Sequence, residues 1–458
     1  MSDLFPYQET GAVWLTTKRH ALLADEMGLG KSAQVIRALD LVNAQNVLVV
    51  GPAVLRRNWI AQLELFSKRA WNVTNIETGT IDPKPGFNVI SYDLLTNESL
   101  RKKLNSMSWD VLCLDEAHYL KERTAKRTKF VYGAGKSRPG LMEKAGFVWR
   151  LTGTPIMNYA DELWTHLKSM GVVQESYWDF TFRYCKGFDS TYGYKITGHK
   201  NTEELKTMLR PVMLRRKKED VLQQLPPIYF QNVVVDRSPV DLDPWFIENI
   251  MNVNGQQNFL DNIKSMDSTL KTALASVLDH SHPKFDDSLN VLDGFKAATS
   301  TMRRYIGHAK LPKALDIIEE ELASGKLKKV VIFAIHQQII ELTRQRLRKY
   351  KPVTLYGKTP GIKRHMNIEQ FQNDAKTRVF IGQIVSAGAG VTLTAANEVV
   401  FLESDWVPAN NAQASMRCHR IGQEKPVRVR FFTCANSVDE QIANVLITKT
   451  REITKIVD

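Results

Sequence analysis

Cysteine is scarce in this 458-residue chain: Cys113, Cys185, Cys418 and Cys434 form no C-x-x-C pair, and no histidines stand at zinc-ligand spacing. That argues against a disulfide framework and against a structural metal. Long apolar runs are missing too, since none approaches the ~18 residues of a membrane-crossing helix. The segment Met1-Ser2-Asp3-Leu4-Phe5-Pro6 offers neither a basic n-region nor an apolar h-region. No membrane association is expected, and a cytoplasmic protein is, or a nuclear one in a cell that has a nucleus. The sequence shows no low-complexity tract and no short-period repeat. What it does show is 43% hydrophobic and 24% charged residues, the composition of a globular chain long enough for two or three domains. Lys and Arg outnumber Asp and Glu by 62 to 49, a net charge of +13. Such an excess favours a polyanionic partner such as nucleic acid, although on charge alone a merely soluble basic protein fits equally well.

Short apolar runs alternate with helical patterns in the first third, at Val47 to Val50, Asn88 to Ser91, Val111 to Leu114 and Phe147 to Leu151. A second series follows at Lys329 to Ile335, Pro352 to Tyr356, Thr377 to Gly382, Glu398 to Leu402 and Val427 to Phe432. Buried strands alternating with helices predict parallel sheets flanked by helices, so the fold class is α/β with two lobes. Residues 1–171 form the expected first lobe and 309–435 the second. Between them, 172–308 lacks strand alternation and reads as helical insertions and a connection. Within it lie a basic block, Arg215-Arg216-Lys217-Lys218, a helical pattern over Glu203 to Leu225, and a polar stretch around Asp279 to Asn290. Residues 436–458 are expected to hold a terminal helix from about Val438 to Val457.

The richest local signal is Leu23-Ala24-Asp25-Glu26-Met27-Gly28-Leu29-Gly30-Lys31-Ser32. It ends as a phosphate-binding loop does, with backbone N–H groups to cradle phosphates, Lys31 to reach the terminal ones and Ser32 to ligate magnesium. Asp25 stands where the general pattern has glycine. Downstream, Val111-Leu112-Cys113-Leu114-Asp115-Glu116-Ala117-His118 is an apolar strand ending in carboxylates. Asp115 can hold magnesium and Glu116 can orient or deprotonate water. Taken alone, that acidic pair is common, and only together with Lys31-Ser32 does it point to ATP. Two arginines, Arg417 and Arg420, lie three apart on what reads as one helix, from which both could stabilise charge on a transferring phosphoryl group. A solvated basic helix face is the competing explanation.

The order of Leu4-Phe5-Pro6-Tyr7-Gln8, the DEMGLGKS loop, Asp115-Glu116-Ala117-His118, Leu151-Thr152-Gly153-Thr154-Pro155 and Gln413 to Gln423 resembles the Swi/Snf-type DNA-dependent ATPases of helicase superfamily two. The resemblance spans essentially the whole chain. Softer matches, among them Met213 to Val221 and Gly390 to Thr394, resemble the annealing-helicase, HARP-related branch; with the motor motifs starting almost at Met1, a motor core without an accessory module is the expectation. The resemblance implies two RecA-like lobes, ATP with Mg2+, and aspartate as the usual residue at position 25. It implies nucleotide contacts from Gln8, Asp25, Glu26, Met27, Gly28, Leu29, Gly30, Lys31, Ser32 and Gln413, with Arg417 and Arg420 as arginine fingers. DNA contacts would come from Arg56, Arg57, Asn58, Trp59, Ser91 and Tyr92 in the first lobe and Ser386, Gly388 and Thr392 in the second. Thr152, Gly153 and Thr154 would couple hydrolysis to DNA binding. The implied partner is double-stranded DNA, with forks or junctions as a finer expectation, and the expected state is a monomer. A strand-separating DNA or RNA helicase and a non-catalytic ATP-gated clamp are the alternatives.

Overall fold

In the computed structural model, which describes residues 3–135, 137–190, 193–238, 268, 296–357, 359–387, 391–435 and 437–457, the apolar runs become the central strands of two parallel sheets. The chain divides into two units, Met1–Leu225 with Arg451–Asp458, and Pro226–Thr450. In the first unit the strands are β1 (His20–Leu23), β2 (Val47–Gly51), β3 (Val73–Ile76), β4 (Phe87–Ser91), β5 (Trp109–Asp115) and β6 (Ala145–Leu151). A hairpin of β7 (Cys185–Ser190) and β8 (Gly193–His199) and the two-residue β9 (Met213–Leu214) follow. The main sheet runs β3-β4-β2-β5-β6-β1-β9 and is parallel throughout.

The reason β2 reads as an unbroken apolar run is that both of its faces are covered. Val47 and Val49 join Val111 and Cys113 in a cluster with Val35, Ile36 and Leu39 of helix α2 (Lys31–Leu41) and with Trp59 and Leu63 of helix α3 (Arg56–Phe66). Leu48 and Val50 join Leu112 and Leu114 in a separate cluster with Leu100, Leu104 and Phe130. Each fully buried Val or Leu contributes roughly 1.5–3 kcal/mol relative to exposure.

The second unit repeats the plan with β10 (Ile228–Val235), β11 (Val330–Ala334), β12 (Val353–Leu355), β13 (Val379–Gln383), β14 (Glu398–Phe401) and β15 (Val427–Cys434). These lie in the order β10-β15-β14-β11-β13-β12, again all parallel. Val330, Ile332 and Ala334 pack with Leu315, Ile318 and Leu322, while Val331 and Phe333 pack with Phe371 and Phe380.

The region 172–308 departs from its expected helical character. It contains the hairpin β7–β8, it supplies β9 to the first sheet, and it supplies β10 to the second. The hairpin escapes the sequence reading because its pattern is only half-buried, and β9 because two residues carry no period. The helical pattern over Glu203 to Leu225 resolves into Thr202–Leu209 and a single turn, Lys218–Val221, with β9 between them. The polar stretch Asp279 to Asn290 lies outside the described residues. Val438–Val457 is helical as expected.

Candidate nucleotide site

In a parallel sheet, ligands gather at the carboxyl ends of the strands. Here β5, β6, β1 and β9 are consecutive neighbours, and their register puts Asp115 beside Leu151, Leu151 beside Leu23, and Leu23 beside Leu214. The four segments that leave these ends are Asp115–His118, Thr152–Pro155, the loop from Asp25 to Lys31, and Arg215–Lys218. The loop and the acidic pair were expected to meet, and the Thr152–Pro155 turn was expected to couple hydrolysis to DNA binding. The fourth, the basic block, was not expected here.

The loop has the build of an anion site. Gly30 adopts φ +71°, and a Cβ there would fall 2.3 Å from Gln8 Nε2, so only glycine fits between the loop and helix α1 (Pro6–Thr16). Lys31 and Ser32 open α2, whose N-terminal end favours negative charge. Lys31 Nζ donates to the Asp25 carbonyl at 2.7 Å and the Glu26 carbonyl at 3.3 Å. Burial pulls its ammonium below the ordinary range, opposed by Glu116, Asp25 and Asp115. Gln8 is buried, donates through Nε2 to the Leu29 carbonyl at 3.2 Å, and accepts from Phe5 N–H through Oε1. Met27 is buried and Glu26 accepts from Lys218 N–H at 2.8 Å.

Across the strand ends, burial and the neighbouring Glu116 push the Asp115 carboxyl up to about 7, against hydrogen bonds from Trp59 and the Glu116 amide. Trp59 Nε1 donates to Asp115 Oδ2 at 2.8 Å, and Glu116 N–H donates to Oδ1 at 2.9 Å. Glu116 takes a left-handed backbone, φ +50°, costly for a non-glycine residue. His118 Nδ1 lies 3.4 Å from Glu116 Oε2 and 3.2 Å from Thr152 Oγ1, and burial lowers its pKa, which leaves the ring neutral at pH 7. Thr152 Oγ1 in turn accepts from Thr154 N–H at 3.1 Å. The acidic pair and the Thr152-Gly153-Thr154 turn are thus joined through one imidazole.

The basic block fastens the loop from the other side. Ala24 N–H donates to the Leu214 carbonyl at 2.7 Å and Glu26 N–H to the Arg216 carbonyl at 3.0 Å. Arg215 Nη1 donates to the Ala24 carbonyl at 2.9 Å. Arg216 binds Asp25 with two arms, Nε to Oδ1 at 3.0 Å and Nη2 to Oδ2 at 2.5 Å. Charge runs are usually solvated, so nothing in the basic block itself points to the loop; the one available signal is Asp25, an aspartate at a glycine position, which demands a partner.

Two expected DNA contacts need correction. Trp59 and Tyr92 are each 1% exposed. Trp59 binds the Asp115 carboxylate, and Tyr92 Oη donates to the Asp115 carbonyl at 2.9 Å. Both side chains support the acidic pair from within, since large aromatics next to apolar residues bury themselves. Ser91 is also buried, whereas Arg57 and Asn58 are exposed and Arg56 is half-buried with Nη1 3.4 Å from the Ile76 carbonyl.

In the second unit, the helix carrying Gln413 stops at Ser415, so Arg417 and Arg420 do not share a helix face. After Met416 the bonds shorten to three-residue turns, Arg417 N–H to the Ala414 carbonyl and Gln423 N–H to the Arg420 carbonyl. Arg417 is 2% exposed, and its carbonyl accepts from Leu393 N–H at 2.9 Å. Arg420 Nη1 donates to Thr392 Oγ1 at 3.0 Å. Gln423 Nε2 ties the turn to the Thr394, Ala396 and Cys418 carbonyls. Gln413 is buried, Ser386 Oγ donates to Gln383 Oε1 at 3.1 Å, and Gly388 lies outside the described residues.

Comparison with known proteins agrees with these motifs. Residues 7–273 match the SNF2-related domain and residues 313–422 the Helicase conserved C-terminal domain. The DNA annealing helicase and endonuclease ZRANB3 of Mus musculus is 30% identical over 98% of this chain and 40% of its own length. The SWI/SNF-related matrix-associated actin-dependent regulator of chromatin subfamily A-like protein 1 of Drosophila melanogaster is 29% identical over 99% of this chain and 56% of its own. The chain therefore spans about half the length of these relatives or less. A solved structure, the Sulfolobus solfataricus SWI2/SNF2 ATPase core in complex with dsDNA, aligns over 100% of this chain and 97% of that one, with 22% identity and a TM-score of 0.44, too low to carry weight. No described helix is long and apolar enough to cross a membrane. With the SNF2-related match covering more than half its residues, this chain belongs to the SNF2 family of helicase-like ATPases.

Proposed function

We propose that this chain is a DNA-dependent ATPase that moves along double-stranded DNA without having to separate its strands. The observation that carries the proposal is the meeting of Lys31, the Asp115–Glu116 pair and Thr152 at adjacent strand ends of the first sheet. The donor set fits nucleotide with magnesium: two neighbouring carboxylates, one of them pushed up by burial, invite a cation. Ser32 and Asp115 would hold that ion. When bound, it supplies Lewis-acid stabilisation of phosphate oxygens.

The chain's own groups have distinct tasks. Lys31 places positive charge at the terminal phosphates, and Gln8 fixes the element that receives the base. Glu116 holds and deprotonates the attacking water. Arg417 and Arg420 supply the second unit's positive charge to the transition state. Neutral His118 passes changes at Glu116 to Thr152, the segment assigned to coupling. Arg56, Arg57 and Asn58 in the first unit and Ser386 and Thr392 in the second would touch phosphates, which positions a duplex without reading its sequence. The two relatives' names speak of annealing and of chromatin regulation, and rewinding or fork remodelling is the finer activity we assign. In a cell with a nucleus, that work would be done there.

Displacement of the third strand from a DNA triplex tests the reading, because it needs travel along duplex but no unwinding. ATP-dependent displacement is expected. Failure to displace, together with efficient separation of a plain duplex, would establish a strand-separating helicase instead.

A further inference from the structure

Asp25 is 0% exposed, and its carboxylate is fully engaged: it takes both arms of Arg216 and, at 2.9 Å, the Gln34 Nε2 amide. It therefore faces the protein beneath the loop. The same guanidinium donates through Nη2 to Gln34 Oε1 at 2.8 Å and through Nη1 to the Tyr7 carbonyl, and it lies over the Tyr7 ring at 5.3 Å. One side chain thus joins three elements that lie 182 to 209 residues from it in sequence: the loop, helix α2 behind it, and the Tyr7-Gln8 start of α1. A second observation shows that room is made for it. Gly11, inside α1, would with a Cβ come within 1.9 Å of Gln34 Oε1 and 2.6 Å of Arg216 Nη2. Glycine in a helix interior costs about 1 kcal/mol, and here its absence of a side chain opens the slot through which the guanidinium passes.

We propose that Arg216 is a positioning residue for nucleotide binding, which sets the phosphate-cradling loop at a fixed distance from the Gln8 element, with Asp25 as its counter-ion. The inference rests on the reading of the loop and Gln8 as a nucleotide site. Arginine is required because its planar fork serves Asp25, Gln34 and Tyr7 together, whereas a lysine ammonium is a point charge on a flexible stem. The guanidinium touches no reacting atom in this arrangement, so its removal weakens ground-state and transition-state binding alike.

Equilibrium binding of mant-ADP with magnesium to the full chain tests this, alongside ATP turnover at saturation. Arg216→Lys is expected to raise Kd about tenfold, ~1.4 kcal/mol, while kcat stays within about threefold of wild type, the pattern of lost uniform binding. Asp25→Asn should raise Kd in the same direction, and the double variant should be no worse than the poorer single one, because both break one contact. Unchanged Kd in Arg216→Lys, a fall in kcat with Kd unchanged, or Kd effects that multiply in the double variant would each overturn the proposal. If Arg216→Lys does not fold, Gly11→Ala, which crowds the same slot, decides by whether Kd rises or stays. Binding of mant-ADP needs no DNA, so a wild type that binds it but shows no DNA-stimulated turnover would sink the motor reading and leave this one standing.

Discussion

The loop of the first unit and the arginine turn of the second are held in place by different means. Asp25 to Lys31 is fastened mainly by side chains: Gln8, Gln34 and Arg216 all bond to it, and Arg215 holds the Ala24 carbonyl just before it. The turn from Arg417 to Gln423 is fastened mainly through backbone carbonyls: the Gln423 amide reaches three, His419 Nε2 lies 2.7 Å from that of Pro226, and the Arg417 carbonyl accepts from Leu393 N–H, with Arg420 to Thr392 beside them. A region with many side-chain anchors is preorganised before ligand arrives, and single losses there should show in affinity. A region in which one amide, that of Gln423, makes three of the ties should loosen when that amide goes, and the loss should show in turnover.

Substitutions can sharpen or break this contrast. The largest effect is expected from Lys31→Ala and Glu116→Gln, which should cut ATP turnover by on the order of 10⁴-fold, measured by phosphate release with duplex DNA present. Arg417→Ala and Arg420→Ala should lower turnover by about 10³-fold while mant-ADP affinity stays near wild type. A matching loss of affinity would erase the distinction between the two regions. Trp59→Phe keeps an aromatic ring but removes the N–H that serves Asp115 together with part of the buried volume, and should cost roughly 1–3 kcal/mol in chemical denaturation with the nucleotide absent. Gln423→Ala should lower turnover with little change in nucleotide binding, and a change confined to affinity would contradict the contrast.

The smallest effect is one of pH. A free aspartate releases its proton near 3.8, whereas folded Asp115 holds it up to about 7. The folded state binds the extra proton between those values, so this group's contribution favours folding at low pH and is lost as pH rises from 3.8 through about 7. Without magnesium, the wild type should therefore lose stability relative to Asp115→Asn as pH rises from 5 to 8. Magnesium with nucleotide should reverse the trend. A parallel pair of pH profiles would show that burial does not perturb this carboxyl.

Much of this could be read from residues alone, and the rest fails for physical reasons. The buried runs at Val47, Val111 and Val330 announced central parallel strands because two covered faces need continuous apolar sequence. The loop and the Asp115–Glu116 pair were recognisable because phosphate chemistry restricts residue types at short spacing. Met213-Leu214 and Ile228–Val235 were hidden because a two-residue strand has no period and an exposed edge strand such as β10 carries polar and apolar residues alike. The resemblance groups Trp59 with Arg57 and Asn58 as a DNA contact, and those two neighbours are exposed, yet helix α3 turns Trp59 inward onto Asp115. The partner of Asp25 stood 191 residues away, and only the neighbouring of β1 and β9 brings Arg216 to it.

The central claim is that nucleotide hydrolysis at these strand ends depends on duplex DNA. The most direct test is the steady-state ATP turnover of the wild-type chain with and without duplex DNA, with Glu116→Gln as the control. The account predicts a low basal rate that duplex raises several-fold and that Glu116→Gln abolishes. Equal rates with and without duplex, or undiminished turnover in Glu116→Gln, would contradict it.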